Sequence, residues 1–142
     1  MGKDADAQAI WGSLLQMFLS AQHPRFHQLA ERESLTVRVI HALLDLSPDE
    51  PQPMSFLAEQ WFCDASNVTG IVDALEAKGF AERVPHPSDR RMKLVQLTEH
   101  GLAARERCVA YLSQPSPALL RLTADELRTL RPLVERAANG TV

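Results

Sequence analysis

The sequence predicts a mostly α-helical fold that carries one small β-hairpin. Apolar residues recur three and four apart, the helical spacing, through most of the 142 residues. Only "FAERV" and "MKLVQL", on either side of "PHPSDRR", read as strands, and the prolines with Ser88 and Asp89 give that loop its turn chemistry. Charge marks the same place. Residues 83 to 93 hold four cations, Arg83, Arg90, Arg91 and Lys93, against the single carboxylate Asp89, a local charge of +3 in a chain of net charge -3.

The elements follow in order. Ile10, Leu14, Met17, Phe18 and Ala21 recur at helical spacing with Trp11 and Leu15 beside them, so the chain opens on a long amphipathic helix that Pro24 should kink or interrupt. Ser34 or Thr36 can cap a second helix, marked by Val39, Ile40, Leu43 and Leu44, which stops before "SPDEPQPM". The three prolines of that stretch read as a linker. Ser55 can cap a short helix carrying Phe56, Leu57 and Trp61. After a turn near Phe62 and Cys63, a further helix starts at Asp64 with Val68, Ile71, Val72 and Leu75 on one stripe and Gly79 as its stop. The hairpin comes next. Thr98 caps a helix to about Leu112, "SQPSP" ends it, and "TADE" from Thr123 has capping-box spacing for a last helix, in which Pro132 bears on straightness.

Composition excludes several classes of function. One domain is the default at this length, and 45% hydrophobic content suffices for a core. No apolar run approaches the roughly 20 residues that cross a bilayer, and "MGKDADAQAI" has no basic region followed by an apolar secretory core, so a cytoplasmic protein with no membrane partner is expected. Cys63 and Cys108 form no CxxC pair and read as buried apolar thiols. His23 and His27 are four apart, but Pro24 lies between them and no second histidine pair accompanies them, so no metal site is expected. There is no phosphate-binding glycine loop, no HExxH and no nucleophile with its base; neither an enzyme nor a cofactor is expected.

Two short helices joined by a tight turn make a helix-turn-helix, and a basic hairpin directly after them makes it winged. The second helix of such a pair can lie in a DNA major groove about 12 Å wide, while the hairpin reaches the backbone or the minor groove. Opposite its apolar stripe, the helix from Asp64 to Lys78 shows Ser66, Thr69, Gly70, Asp73 and Ala77, with Asn67 on the flank. These short groups would let a helix approach base edges closely. The arginines of the hairpin stand where phosphates would be. A bland reading accompanies each feature: the tip as a solvated loop, the polar residues as an ordinary solvent face, Asp89 as a turn residue, which is compatible with its pairing to Arg91.

At these residues the sequence resembles the MarR-type winged-helix transcriptional regulators. The most specific part is "DRRMKLVQLT", which looks like the family's D-x-R with Leu-Thr after a gap of five, here Asp89, Arg91, Leu97 and Thr98. "LAE" at Leu57, "SNVTGIVDALEAKGF" from Ser66 and "ER" at Glu82 and Arg83 support it. The resemblance implies that the helix from Asp64 reads the major groove through Ser66, Asn67, Thr69 and Gly70. It further implies that Arg90 lies at the wing tip, with Arg83, Arg91 and Lys93 beside it, and that Asp89 and Arg91 hold the wing. Two departures stand out. Gly70 and Ala74 occupy positions that are often basic, which shifts the electrostatic contribution to the wing, and Phe62 stands where the turn commonly has glycine or another small residue.

The resemblance also implies terminal helices that form a homodimer. Physics agrees, because Ile10, Trp11, Leu14, Phe18, Leu127, Leu130 and Val134 are more apolar surface than a small wing domain readily covers. The expected organisation is an N-terminal dimerisation helix over 1–34, a winged helix-turn-helix over 35–100 and C-terminal dimerisation helices over 101–142, in one compact unit. The expected function is a repressor that binds a pseudo-palindromic double-stranded operator as a homodimer and is released by a small aromatic or phenolic effector. The alternative is a winged-helix protein-interaction module, which the missing cations at Gly70 and Ala74 keep open.

Overall fold

The computed structural model describes residues 2–140, save the side chains of residues 22 and 23. The elements are α1 (Lys3–Glu33), α2 (Val37–Asp45), β1 (Gln52–Pro53), α3 (Met54–Gln60), α4 (Ala65–Ala77), β2 (Ala81–Pro85), β3 (Lys93–Leu97), α5 (Glu99–Leu112), a 3-10 turn over Leu119–Arg121, and α6 (Ala124–Asn139). They divide into two units. The terminal unit takes in the chain through Ala21 and the chain from Gln114; the central unit is Gln22–Ser113.

In the central unit the core is built from Leu29, Ile40, Leu43, Leu46, Leu57, Val68, Val72, Leu75, Val95 and Cys108, all fully buried. Helical spacing identified Ile40, Leu43, Val68, Val72 and Leu75 among them; Leu29, the α2 cap residue Leu46 and the strand residue Val95 were not singled out. Side-chain oxygens start the helices as the capping rule requires: the hydroxyl of Thr36 accepts from Val39 N–H at 3.2 Å, and that of Thr98 accepts from Gly101 N–H at 3.0 Å. Thr36 is thus the cap of α2. Ser34 closes α1 instead, at φ 54, with Leu35 N–H donating back to the Ala30 carbonyl at 2.9 Å. Glu33 at the end of α1 pairs with Arg107 of α5 at 3.0 Å.

The three-stranded antiparallel sheet has the order β1-β3-β2. β2 and β3 form the expected hairpin. β1 corrects the reading of "SPDEPQPM" as a plain linker, because Gln52 and Pro53 pair with Val95 and Leu94. A two-residue strand containing proline is confined to a sheet edge, where the missing N–H is harmless, and it leaves no alternation to detect. Two further expectations change. α3 starts at Met54 from Pro53, which sits at φ -63 and ψ 144 with no side-chain cap, so Ser55 lies inside the first turn. α1 runs through Pro24 without interruption; Ser20, whose carbonyl loses its i+4 donor there, is exposed and can be hydrated.

The terminal unit contrasts with the central one. None of its described residues is buried, and Trp11 and Phe18 are 65% and 55% exposed. α6 begins with the expected capping box, Thr123 and Glu126 each satisfying the other's backbone N–H, and continues through Pro132. Ile10, Leu14, Leu127, Leu130 and Val134 line an open apolar groove of about 460 Å³ in this unit.

Candidate nucleic-acid interface

The interface is built on α4, because its ends are fixed on both sides. Asp64 caps its start by accepting from Asn67 N–H at 2.9 Å, and that bond, with a second from the Ser66 hydroxyl, holds the Asp64 carboxyl below its usual range. Gly79, at φ 71, ends the helix: its N–H donates to Glu76 O at 2.8 Å, and Phe80 N–H donates to Leu75 O at 2.9 Å. Thr98 then ties the helix end to the wing, donating its hydroxyl to the Gly79 carbonyl and its N–H to Phe80 O. A methyl group on Gly101 would stand 1.8 Å from that same Phe80 oxygen, so the first turn of α5 seats here only through glycine.

α4 buries Val68, Ile71, Val72 and Leu75. Ser66, Asn67, Thr69, Gly70, Asp73 and Ala77 are exposed. The Ser66 hydroxyl donates to Asp64 at 2.8 Å and the Thr69 hydroxyl to Ala65 O at 2.9 Å. Their hydrogens are spent within the helix, so both oxygens face outward as acceptors. Gly70 opens onto free space, with nothing within 4 Å of an added Cβ. Ala74 differs, being half-buried against the core.

The turn before α4 has an unusual residue. Phe62 adopts φ 50, a left-handed conformation that glycine takes without penalty, and its side chain is 96% exposed. The position thus has a backbone conformation that glycine favours while carrying a bulky aromatic ring. Cys63 N–H still closes the turn on Ala58 O at 3.1 Å.

The wing is held at its tip by backbone bonds. Asp89 accepts from Arg91 N–H at 3.0 Å through its carboxylate, its carbonyl accepts from Met92 N–H at 3.1 Å, and Met92 O accepts from His86 N–H at 3.1 Å. Asp89 and Arg91 therefore meet through the Arg91 backbone. The side chains of Arg90, Arg91 and Lys93 are exposed and make no hydrogen bond or ion pair among the described residues. Arg83 is placed differently, at the base of the wing, where it pairs with Glu76 at 2.6 Å and Asp73 at 2.8 Å. Asp73, which the sequence placed on the polar face of α4, and Glu76, which sequence reading passed over, thus belong to the same surface. The signal was their spacing on a helix with no cation between Ala65 and Ala77, followed by an arginine at the start of a hairpin.

Among the described residues no group of three or more His, Cys, Asp and Glu side chains could hold a metal; the His23 side chain lies outside them. No described helix is long and apolar enough to cross a membrane. Cys108 is buried, which pushes its thiol up to about 11, and Cys63 is half-buried.

The model of the MarR family matches residues 35–93. The multiple antibiotic resistance protein MarR of Escherichia coli is 40% identical over 75 residues, 51% of this chain and 52% of that protein, so this chain matches about half its length. The HTH-type transcriptional repressor NicR of Pseudomonas putida is 30% identical over 134 residues, 91% of this chain and 85% of the relative. The crystal structure of wild-type MarR from Escherichia coli in its apo form superposes with a TM-score of 0.66 at 28% identity, covering 89% of this chain and 95% of that one. The name of the Pseudomonas putida relative is that of a transcriptional repressor.

Proposed function

This chain belongs to the MarR family, and from that premise we propose that it is a sequence-specific DNA-binding transcriptional repressor. It acts as a homodimer on a pseudo-palindromic operator and is released by a small aromatic or phenolic effector. The single observation that carries the DNA-binding part is the unpaired charge of the wing: Arg90, Arg91 and Lys93 have no carboxylate among the described residues to satisfy them. Such cations gain free energy on meeting phosphates by displacing the counterions condensed on DNA. α4 supplies the complementary part, a face of short side chains with outward acceptors that suits amino groups at base edges in the major groove.

The exposed apolar surface of the terminal unit supports the homodimer. Two copies of α4 would then meet successive major grooves about 34 Å apart, one helical turn of DNA, which gives the operator its two-fold symmetry. Support for an effector comes from a cavity of about 450 Å³ in the central unit, lined by Val37, Arg38, His41, Trp61, Phe62 and Ile71 among others.

Selection of bound fragments from sheared genomic DNA by the purified protein tests the proposal. The expected result is enrichment of a few sites containing an inverted repeat, with release by members of a phenolic panel that also raise thermal stability. Retention of no fragment at low salt overturns the DNA-binding reading and favours the protein-interaction module. Fragments that no compound releases would leave a repressor without an effector.

A further inference from the structure

α4 enters DNA, on the reading above, with an electrostatic handicap. Between Ala65 and Ala77 it carries two carboxylates, Asp73 and Glu76, and no cation. Carboxylates directed into a groove walled by phosphates oppose binding. Arg83 of β2 reaches both. Its Nη1 donates to Glu76 Oε2 at 2.6 Å, its Nη2 to Asp73 Oδ1 at 2.8 Å and to the Thr69 carbonyl at 3.4 Å, and its backbone N–H to Glu76 Oε1 at 3.0 Å. Both oxygens of Glu76 are thereby engaged. Residues 69, 73 and 76 follow at i, i+4 and i+7, so the guanidinium lies along one flank of the helix. Its side chain is only 24% exposed. A planar fork with donors at fixed angles suits this double pairing.

We infer that Arg83 is a positioning residue that acts through α4, pairing both Asp73 and Glu76 and offsetting one of their two negative charges, and is not a ligand to phosphate. The inference rests on the DNA-binding reading and assigns Arg83 a role different from that of Arg90, Arg91 and Lys93. Asp73, still 61% exposed, is left as a held acceptor on the groove-facing side rather than a free anion. Arg83 is also half of a mechanical tie, because its backbone pairs with Val95 in the hairpin while its side chain grips the helix. Wing and recognition helix share this residue.

Two variants separate the roles: Arg83→Met, which keeps the apolar stem, and the triple variant Asp73→Asn, Glu76→Gln, Arg83→Met. Affinity for random-sequence duplex DNA is measured as a function of salt for each, with folding and oligomeric state checked alongside. Arg83→Met is expected to weaken binding at least tenfold. The triple variant, which has no carboxylate left on this face where the parent keeps one negative charge in excess, is expected to regain the parent's affinity or exceed it, with the parent's salt slope. A phosphate ligand predicts the opposite: a triple variant as weak as Arg83→Met, with a slope lower by about 0.9, which overturns the inference. If Arg83→Met does not fold, the triple variant decides alone by the same comparison with the parent. A parent protein that binds no DNA overturns the proposed function, and this role with it, before any variant is compared.

Discussion

Phe62 shows how a single residue can depart from what its position asks. Its backbone is left-handed at φ 50, where a side chain costs roughly 1–2 kcal/mol, and its ring is 96% exposed, so no packing offsets that cost. Phe62→Gly should therefore stabilise the protein by about 0.5–1 kcal/mol, the relief of strain exceeding the extra chain entropy of glycine. Chemical denaturation checks this; an unchanged or lower midpoint would mean that the ring is held by a second copy of the chain. The sequence placed a large residue in the turn but could not give its φ, which is set by the closure of Cys63 N–H on Ala58 O. The same limit applies to Arg83. Its charge was legible, yet its partners depend on the approach of β2 to α4, which no local pattern encodes. Both cysteines read as buried thiols because they form no CxxC pair; Cys108 is buried, on the inward stripe of α5 with Ala104 and Gly101, whereas Cys63 is half-buried.

At the scale of elements, what was legible was whatever local chemistry decides. Thr36, Asp64, Thr98 and Thr123 each start a helix because a side-chain oxygen can meet a free N–H three residues on, a relation contained in the sequence itself. β1 was not legible, since its two residues are fixed by pairing with β3, which is distant in the sequence. α4 lies between these cases: its buried stripe was predicted, but Ala74 proves half-buried against the core while Gly70 is open. That difference directs the prediction for this helix. Gly70→Arg should fold, gain up to about 1 kcal/mol of helix stability and steepen the salt dependence of DNA binding by about one unit. Ala74→Arg should instead lose stability, because Ala74 packs half-buried against the core and a long charged side chain would disturb that contact. Thermal melts and salt titrations of the two variants check both statements. A Gly70→Arg variant that is folded but keeps the parent's salt slope would turn α4 away from DNA.

The whole molecule pairs a well-buried central unit with a terminal unit that buries nothing among its described residues. Ile10, Trp11, Phe18 and Leu133 are exposed apolar residues, and the partner proposed to cover them is a second copy. Trp11→Glu with Phe18→Glu should convert a two-chain species into a soluble single chain in sedimentation experiments and abolish cooperative binding to paired half-sites. A parent that sediments as one chain would remove the dimer from the account.

The central claim is that the unpaired cations of the wing are there for phosphates. Its most direct test is the salt dependence of affinity for the selected operator, compared between the parent and the variant Arg90→Ala, Arg91→Ala, Lys93→Ala. The slope should fall by about 0.9 for every phosphate that the variant leaves unneutralised, and binding to operator and random DNA should weaken by similar factors, because these cations position the protein without reading bases. A folded, dimeric variant with the parent's slope and affinity would contradict the account.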